Sequence, residues 1–535
     1  MVILMFTKNQ SDNRCQIQFL SIDDLVPQDH ILRDIDRSIN FSFIYDLVKG
    51  LYCHDNGRPS VDPVVLFKIP LVQFLFGIRS MRQTIKEIEV NMAYRWFLGY
   101  GMTDEIPHFT TFGKNYVRRF ADDDIFERIF ERILLEAVKS GFVDASAVFI
   151  DATHIKASAN KKKAVNEEVK VKAKHYHNEL MEEINRDRAE HGKNPFKDKD
   201  DDEDTPAPTK NVKTSTTDPE CGLFHKGEHE KMFAYTAHTA CDKHGFILGC
   251  DVAPGNVHDS VMFDALYRNV LSAFPEIEIT ALDSAYKTPW IMKQIFDSGR
   301  LASTPYKRPM TKKGFFKKYD YIYDEYYDCI ICPENQVLKY STTNREGYRE
   351  YKSNPKVCAN CPSRHICTES KNHQKVVTRH VWESYIELAE DVRHSPKGKT
   401  TYLLRKETIE RVFADAKEKH FMRYTHYRGL AKLKMQTLLT FAAMNLKKLA
   451  RWKKKNGMLT EISLCFLMFW IELQDYEIFR DFDPNRAADW GLCLRSETDT
   501  AMCIRFSMYA VDCKTFLFCF PYLGFVINLV IFFKL

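Results

Sequence analysis

The sequence predicts an α+β or α/β protein, with a helical N-terminal domain followed by a mixed-sheet domain that contains a cysteine-bearing insertion. Three observations predict it. From about residue 15 to 140, apolar residues recur at helical spacing. From Ala147 onward, short apolar runs typical of strands alternate with helical patterns. Between about residues 310 and 380, five cysteines interrupt this alternation.

Length and composition narrow the class of protein. A chain of 535 residues with 44% hydrophobic residues can bury a large core, which argues against global disorder. Fifteen cysteines and no secretory signal indicate a reducing, cytoplasmic setting. Residues 515–533 carry no charge and reach membrane-spanning length, but Pro521 and Gly524 interrupt them, so we do not expect a membrane protein. Residues 456–535 are expected to form an atypical C-terminal tail.

Charge is distributed unevenly along the chain. The formal net charge of +5 is too small to indicate by itself which kind of molecule the protein binds. Between Pro396 and Asn456, however, 17 Lys and Arg stand against 4 Asp and Glu, an excess that attracts phosphate backbones. A solvated helix face would carry the same pattern. The predicted N-terminal helices of residues 15–140 also carry basic residues that suit DNA binding, namely Arg82, Lys86, Lys114, Arg118 and Arg119.

The region from 145 to 310 predicts three strands, a helix, a strand, a helix and a strand. "AVFIDA" is the first strand, and "IEITALD" is the fourth. A charged insertion at residues 156–213 follows the first strand, with "HYHNELMEEINRDRAEH" as an expected solvated helix. Residues 395–455 predict two amphipathic helices that complete this domain.

Three acids stand beside these structured segments. Asp151 and Asp283 end the first and fourth strands, and Glu410 lies in the helix "LLRKETIERVFADAKEKH". Each alone is weak evidence, because an acid at a strand end is more often a cap or turn residue. Together they can bind Mg²⁺ or Mn²⁺, since hard cations take carboxylate oxygens, and paired ions support phosphodiester chemistry.

Cations surround the third acid. Lys417 follows Glu410 by seven residues, which places both on the same helix face. The other candidate DNA-binding residues near this helix are Arg405, Lys406, Arg411, Arg423 and Arg428. Many cations beside a triad of acids favour a polyanionic substrate.

A series of motifs resembles bacterial insertion-sequence transposases of the DDE class, in the subgroup with an N-terminal helical transposase domain. The resemblance covers roughly residues 7 to 455 and rests on "GIRSMRQTIKEIEVNMAYRWFLGYG", "HFTTFGKNYVRRF", "FIDATHIKASANKKK", "STTDPE", "HTACD", "PGNVHDS", "DSAYKTP" and "RKETIERVFADAKEKH…YRGL". It implies a ribonuclease-H-like catalytic domain in which Asp151, Asp283 and Glu410 are the metal-binding acids. It also implies double-stranded DNA as partner, in element ends and target, and a homodimer or higher oligomer on DNA near the nucleoid.

The chain departs from the family pattern at two places. Related subgroups have the signature Y-x2-R-x3-E-x6-K, of which Glu410 and Lys417 keep the last part. Lys406 and Leu403 occupy the Arg and Tyr positions of that signature. Phe421 stands where the family has glycine.

The cysteine-rich insertion, residues 311–390, predicts a structural zinc site. Pairs of cysteines two residues apart are typical of such sites, and the candidate ligands are Cys329, Cys332, Cys358, Cys361 and Cys367. The alternative is reduced, partly buried cysteine in a β-rich insertion. His154 and His258 are more typical of structural or helix-capping roles than of metal ligation.

The sequence therefore predicts a DNA transposase that cleaves and joins phosphodiester bonds. Two alternatives stay open: a catalytically inactive, element-derived DNA-binding protein, and a nuclease without strand transfer.

Overall fold

The computed structural model describes residues 17, 19–53, 59–121, 124–170, 176–196, 209–226, 230–308 and 311–459, with four further strands between 477 and 519. The chain divides into two compact units, Met1–Asn456 and Gly457–Leu535. The first unit contains a hydrophobic core shared by the N-terminal helices and the main sheet. The domain boundaries drawn from the sequence inside this unit stay predictions.

In the N-terminal region, the described residues form eight α-helices. They are α1 (Ile22–Leu25), α2 (Ile31–Ser38), α3 (Phe43–Val48), α4 (Pro63–Leu75), α5 (Met81–Val90), α6 (Met92–Leu98), α7 (Thr110–Asn115) and α8 (Ile125–Lys139). Asp62 caps α4 by accepting the backbone N–H of Val64 at 2.7 Å, and Pro63 takes the first helical position, where no N–H is needed. Ser80 caps α5 by accepting the backbone N–H of Gln83 at 3.2 Å.

The predicted order of three strands, a helix, a strand, a helix and a strand is present, and three further strands between residues 164 and 226 were not predicted. The elements are β1 (Ala147–Lys156), β2 (Ala164–Lys170), α9 (His177–Glu190), β3 (Thr209–Ser215), β4 (Gly222–Lys226), β5 (Glu230–Cys241), β6 (Ile247–Pro254), α10 (Asp259–Ala273), β7 (Ile279–Leu282), α11 (Pro289–Asp297) and β8 (Leu301–Ser303). β1, β5 and β6 form an antiparallel meander. The chain then crosses through α10 to β7, parallel to β1, and through α11 to β8, parallel to β7.

The resulting spatial order, β6-β5-β1-β7-β8, is that of a ribonuclease-H-like sheet, and β4 adds a hairpin onto the start of β5. The predicted fold class, α+β with this mixed sheet, is confirmed by the strand order. β1 lies at the centre, with residues 147–150 all buried, because it is covered on both faces.

The charged insertion is more structured than expected. β2 and β3 pair as a two-stranded ribbon. α9, expected to be a solvated helix, instead buries Leu180, Met181 and Ile184. Its Asp187, only 2% exposed, forms an ion pair with Arg349 at 2.6 Å. The expectation of solvation was wrong because these apolar positions share one helix face, which docks on a part of the chain 150 residues away.

The cysteine-rich insertion forms its own small sheet. Its elements are β9 (Ile322–Asp324), β10 (Cys329–Ile331), β11 (Val337–Thr343), β12 (Tyr348–Lys352), α12 (Pro355–Ala359), α13 (Arg364–Cys367) and β13 (Val376–His380). The five strands are antiparallel in the order β13-β12-β11-β10-β9. A separate apolar cluster, centred on Ile330, Leu338 and Tyr351, holds this sheet together.

Four helices close the first unit: α14 (Glu383–His394), α15 (Pro396–Leu403), α16 (Ile409–Lys419) and α17 (Leu430–Lys455). α17 packs against α2, α4 and α8 on one side and against β6 on another, so it joins the N-terminal helices to the sheet. α16 packs against β1 and α17, which fixes its position beside the end of the central strand.

In the second unit, the described residues form four antiparallel strands: β14 (Glu477–Phe479), β15 (Asp489–Arg495), β16 (Ala501–Asp512) and β17 (Thr515–Cys519). The uncharged stretch at 515–533 thus begins in β17, and its part from 520 lies outside the described residues. Across the described part of the chain, none of the helices combines the length and the apolar character that crossing a membrane would require.

Candidate active site

Asp151 and Asp283 lie side by side at the same level of the sheet. β1 and β7 are parallel and in register, with Ile150 opposite Leu282, and each acid is the next residue along. Asp283 follows the end of β7, as predicted, but β1 continues to Lys156, so the prediction that Asp151 ends its strand was wrong: Asp151 lies inside β1, still paired with β5, at the level where β7 stops. Asp283 also accepts the Ser284 N–H at 2.6 Å, which caps a short 3₁₀ turn after β7.

Asp151 is held by a buried cation. Its Oδ2 accepts a hydrogen bond from Nη2 of Arg405 at 2.5 Å, and its Oδ1 accepts the Ala152 N–H at 2.8 Å. The Arg405 side chain is 5% exposed and the Asp151 side chain 20% exposed. Nε and Nη1 of Arg405 are buried and have no hydrogen-bond partner among the described residues. The guanidinium therefore depends on Asp151 for most of its electrostatic compensation.

Glu410 reaches the site from the first turn of α16. Glu410 is exposed, beside the buried stripe of this helix, which consists of Ile409, Val412, Phe413 and Ala416. A carboxylate in the first turn is favoured by the unpaired N–H groups at the helix N-terminus. The packing of α16 on β1 brings this turn towards Asp151.

The charges of all three acids affect the pKa of the Tyr402 phenol. Burial raises the pKa of its phenol above the ordinary value; Arg405 opposes the rise, and the carboxylates of Asp283, Glu410 and Asp151 add to it. The Arg405 guanidinium lies 5.7 Å from the centre of the Tyr402 ring. All three acids are therefore within electrostatic reach of one phenol, although they come from three distant parts of the chain.

Asp151, Asp283 and Glu410 offer carboxylate oxygens, which are the ligand type that hard divalent cations such as Mg²⁺ prefer. As the side chains stand, however, no three His, Cys, Asp or Glu groups in the described ranges lie close enough together to hold a metal ion. Asp151 is turned to Arg405 instead. Metal binding would need Asp151 to shift its contact from this guanidinium.

The family signature is displaced by one residue. Tyr402 and Arg405 precede Glu410 by eight and five residues, where the signature has seven and four. A 3₁₀ turn at Leu404–Lys406 separates α15 from α16, and its tighter winding changes the angular spacing of residues. This irregular junction still places Tyr402 and Arg405 beside the acids, which residue counting on a continuous helix does not anticipate.

The predicted DNA-binding residues occupy different environments. Lys406 and Arg411 are exposed on the surface near Glu410, and Lys417 is half-buried. Arg423 is exposed and forms an ion pair with Glu418, and Arg428 donates to the Ser158 carbonyl at 3.3 Å. Arg405 differs, because it is buried against Asp151 and presents little surface to a ligand.

The histidines singled out in the sequence have structural contacts. Nδ1 of His154 lies 3.0 Å from the Thr236 hydroxyl, and its ring packs on Phe224. His258 caps α10, accepting the Ser260 N–H at 3.2 Å. These contacts agree with the expected structural and capping roles.

Sequence reasoning missed two buried groups next to the site. Lys287, in the "DSAYKTP" motif, is 5% exposed and pairs with Glu390 of α14. His238 of β5 is 1% exposed, and its Nδ1 lies 3.1 Å from the Tyr286 hydroxyl. The motif was the only signal for Lys287, since its partner lies 103 residues away.

The strand order places the main sheet in the ribonuclease-H-like class, and comparison with known proteins narrows the family. Residues 331–450 match the family model described as a transposase DDE domain. Residues 20–118 match the model described as a transposase domain, DUF772. The chain therefore carries two transposase segments, and the resemblance to insertion-sequence DDE transposases is confirmed.

Among solved structures, the chain is similar to one described as "Mos1 transposase paired-end complex with left transposon end". The match has 12% identity and a TM-score of 0.14, and it covers 47% of this chain and 61% of that chain. No curated protein matches the chain. The fold assignment above depends on the strand order rather than on this structural match.

Proposed function

We propose that this protein is a DNA transposase that cleaves DNA at the ends of its element and joins the freed ends to target DNA. Asp151, Asp283 and Glu410 would hold the Mg²⁺ or Mn²⁺ ions of this reaction. The observation that supports the proposal is the register of β1 and β7, which puts Asp151 and Asp283 at the same level of the ribonuclease-H-like sheet, with α16, the helix of Glu410, packed against β1. The two transposase segments support it.

Bound divalent ions would activate the attacking oxygen and stabilise the leaving oxygen of the phosphodiester. In the first step water attacks phosphorus, the bond to the 3′ oxygen breaks, and a free 3′-hydroxyl results. In the second step that hydroxyl attacks a target phosphodiester, so one P–O bond forms as another breaks. The protein contributes position and charge, and no covalent protein intermediate is needed.

The chain's own residues have distinct tasks in this proposal. Arg405 holds the Asp151 carboxylate in an ion pair before metal binds, and Asp151 would turn from it to the metal. Lys406 and Arg411 are exposed next to Glu410 and would neutralise phosphates that flank the scissile bond. Lys417, two helical turns along α16 from Glu410, would contact the same strand.

Recognition of the element ends would fall to the N-terminal helices. Arg82, Lys86, Lys114 and Arg118 are exposed on α5, on α7 and on the turn that follows α7. Exposed cations on short helices suit contacts to a DNA backbone. Because two ends must be brought together, we expect a homodimer or higher oligomer on DNA, acting in the cytoplasm at the nucleoid.

The test uses purified full-length protein, labelled DNA carrying its own element ends, and Mg²⁺ or Mn²⁺. Wild type should cleave the ends and join them to a target plasmid. Asp151→Ala, Asp283→Ala and Glu410→Gln should each lower the rate at least about 100-fold, since each removes a ligand of the reacting centre. Glu407→Gln is the matched control, because Glu407 is an exposed acid three residues before Glu410.

Three outcomes decide between the alternatives. Cleavage followed by joining supports the transposase. Cleavage without joining would make the protein a nuclease. Specific binding of ends with no metal-dependent chemistry would overturn the enzymatic proposal and leave a DNA-binding protein.

A further inference from the structure

The five cysteines of the small sheet fall into two sets. Cys332, Cys358, Cys361 and Cys367 line one enclosed cavity, together with Phe316 and Leu338. They come from the turn after β10, from α12, from the residues after α12 and from α13. All four are free thiols.

Cys329 belongs to a different face of the sheet. Side chains alternate along a strand, so Cys329 and Cys332 of the β10 segment point to opposite sides. Ile330, Cys332 and Cys367 pack in the apolar cluster of the small sheet, and Cys329 is not part of it. Cys329 is 8% exposed and does not line the four-cysteine cavity.

Polar neighbours of the four-cysteine cavity suit thiolate ligands. Sγ of Cys332 accepts the Gln336 N–H at 3.3 Å, across a tight turn in which Asn335 has φ 55°. Sγ of Cys358 lies 3.2 Å from the Ser353 hydroxyl, and Sγ of Cys367 lies 3.2 Å from the Tyr321 hydroxyl. The Gln336 N–H donates to sulfur as it would to a thiolate, whereas the Cys358 thiol here donates to Ser353; once the thiols lose their protons, both hydroxyls could donate to sulfur and so orient the ligands and offset their charge.

The positively charged side chain of Lys375 lies beside the same cavity. Lys375 lines it and donates from Nζ to the Cys367 carbonyl at 2.9 Å. A tetrathiolate site with Zn²⁺ has a net charge of about −2, counting four thiolates against one divalent ion. Lys375 would offset part of this charge.

We propose that Cys332, Cys358, Cys361 and Cys367 bind one structural Zn²⁺ and that Cys329 does not take part. Four thiolates form the closed tetrahedral set that structural zinc takes. As they stand, the sulfur atoms of the described residues are not at ligand distances. Binding therefore requires rotation of cysteine side chains about χ1, with the backbone segments already placed around the cavity. The ion would tie the β10–β11 turn to α12 and α13.

This proposal does not depend on the transposase reaction. The sheet, the cavity and the four thiols lie in the insertion, and the zinc content can be measured without DNA or catalysis.

The test measures the zinc content of the purified full-length protein by elemental mass spectrometry. Wild type and Cys329→Ser should each contain about one zinc per chain. Cys332→Ser, Cys358→Ser, Cys361→Ser and Cys367→Ser should each lose most of it. Equal loss in Cys329→Ser, or wild-type protein purified without zinc and unable to take it up, would overturn the assignment.

A second measurement covers the case in which cysteine variants fail to fold. Wild-type protein stripped of metal is titrated with Co²⁺, whose absorption reports tetrahedral geometry and the number of thiolate ligands. A spectrum of four thiolates at one Co²⁺ per chain is expected. A spectrum with nitrogen in the set would implicate His365, an exposed histidine between Cys361 and Cys367, and overturn the four-cysteine assignment.

Discussion

Replacing Asp151 with alanine should destabilise the protein as well as inactivate it. Arg405 is 5% exposed, and its Nε and Nη1 already lack hydrogen-bond partners among the described residues. Removal of Asp151 would leave a buried guanidinium without its counter-ion, a change that costs about 3–5 kcal/mol. That is a large share of the total stability of a domain, typically about 5–15 kcal/mol.

The matched comparison is Asp283→Ala. Asp283 accepts the Ser284 N–H at the start of a 3₁₀ turn, and no ion pair is found for it within the described residues. Loss of a cap of this kind costs about 0.5–2 kcal/mol. Two acids at the same level of the sheet should therefore differ clearly in their effect on stability.

The double variant Asp151→Ala with Arg405→Met isolates the cause. Methionine keeps much of the volume of arginine and removes the buried charge, and such replacement of a buried pair is often neutral or stabilising. Stability should return to within about 1 kcal/mol of wild type by this principle, while catalysis stays absent.

Thermal unfolding in metal-free buffer, followed by circular dichroism, measures these differences. Midpoints are compared, since a chain with two units need not unfold in one two-state step. If the catalytic domain behaves as one of 150–250 residues, Asp151→Ala should lower its midpoint by about 6–20 °C and Asp283→Ala by about 1–8 °C. Equal midpoints for the two single variants, or no recovery in the double variant, would refute the buried-charge explanation.

Substitutions at four further positions probe backbone conformation and burial elsewhere. Phe421 has φ 56°, so Phe421→Gly should be about 1–2 kcal/mol more stable in urea unfolding than Phe421→Ala, and the reverse order would contradict a left-handed backbone. In Gly398→Ala the new Cβ would lie 1.9 Å from the Val392 carbonyl oxygen, so a loss of about 1–3 kcal/mol is expected by the same measurement. Gly113→Ala meets nothing within 4 Å and should gain about 0.5–1 kcal/mol, which makes it the control. Burial, with a smaller effect of a neighbouring histidine, lowers the pKa of His238 to about 4. As pH falls, His238 is therefore protonated in the unfolded chain before it is protonated in the folded protein. The free energy of unfolding should drop by about 1.4 kcal/mol per pH unit between about pH 6.5 and 4. His238→Gln should reduce this slope.

The order of strands and helices in the main sheet was predictable because its signals are local. Alternation and short apolar runs mark β1, β5, β6, β7 and β8, and helical periodicity marks α10 and α11. The same signals placed Asp283 at a strand end and Glu410 on an amphipathic helix, but they ended the first strand too early, because β1 continues past Asp151 to Lys156. Recognition of the transposase motifs added the expectation that these acids meet.

Contacts between distant segments were not predictable in this way. Asp187 of α9 pairs with Arg349 of β12, and nothing near either residue in the sequence indicates the other. A charged stretch was therefore expected to be solvated, although Leu180, Met181, Ile184 and Asp187 of its helix are buried. Local periodicity predicts that a helix has an apolar face, but it does not show which distant segment will cover that face.

At the candidate site, too, the sequence determined some features and the tertiary structure determined others. The sequence by itself determined which residues could bind metal: Asp151 and Asp283 after apolar strand patterns, Glu410 on a helix, and five cysteines, four of them in two C-x2-C pairs. Only the tertiary structure decided that Arg405 is buried against Asp151 and that Asp151 lies inside its strand rather than at its end. It also decided that four of the five cysteines surround one cavity. The physical reason is that residue type and local period fix which groups can do chemistry, while packing of segments up to 254 residues apart fixes which groups meet and how much water they keep.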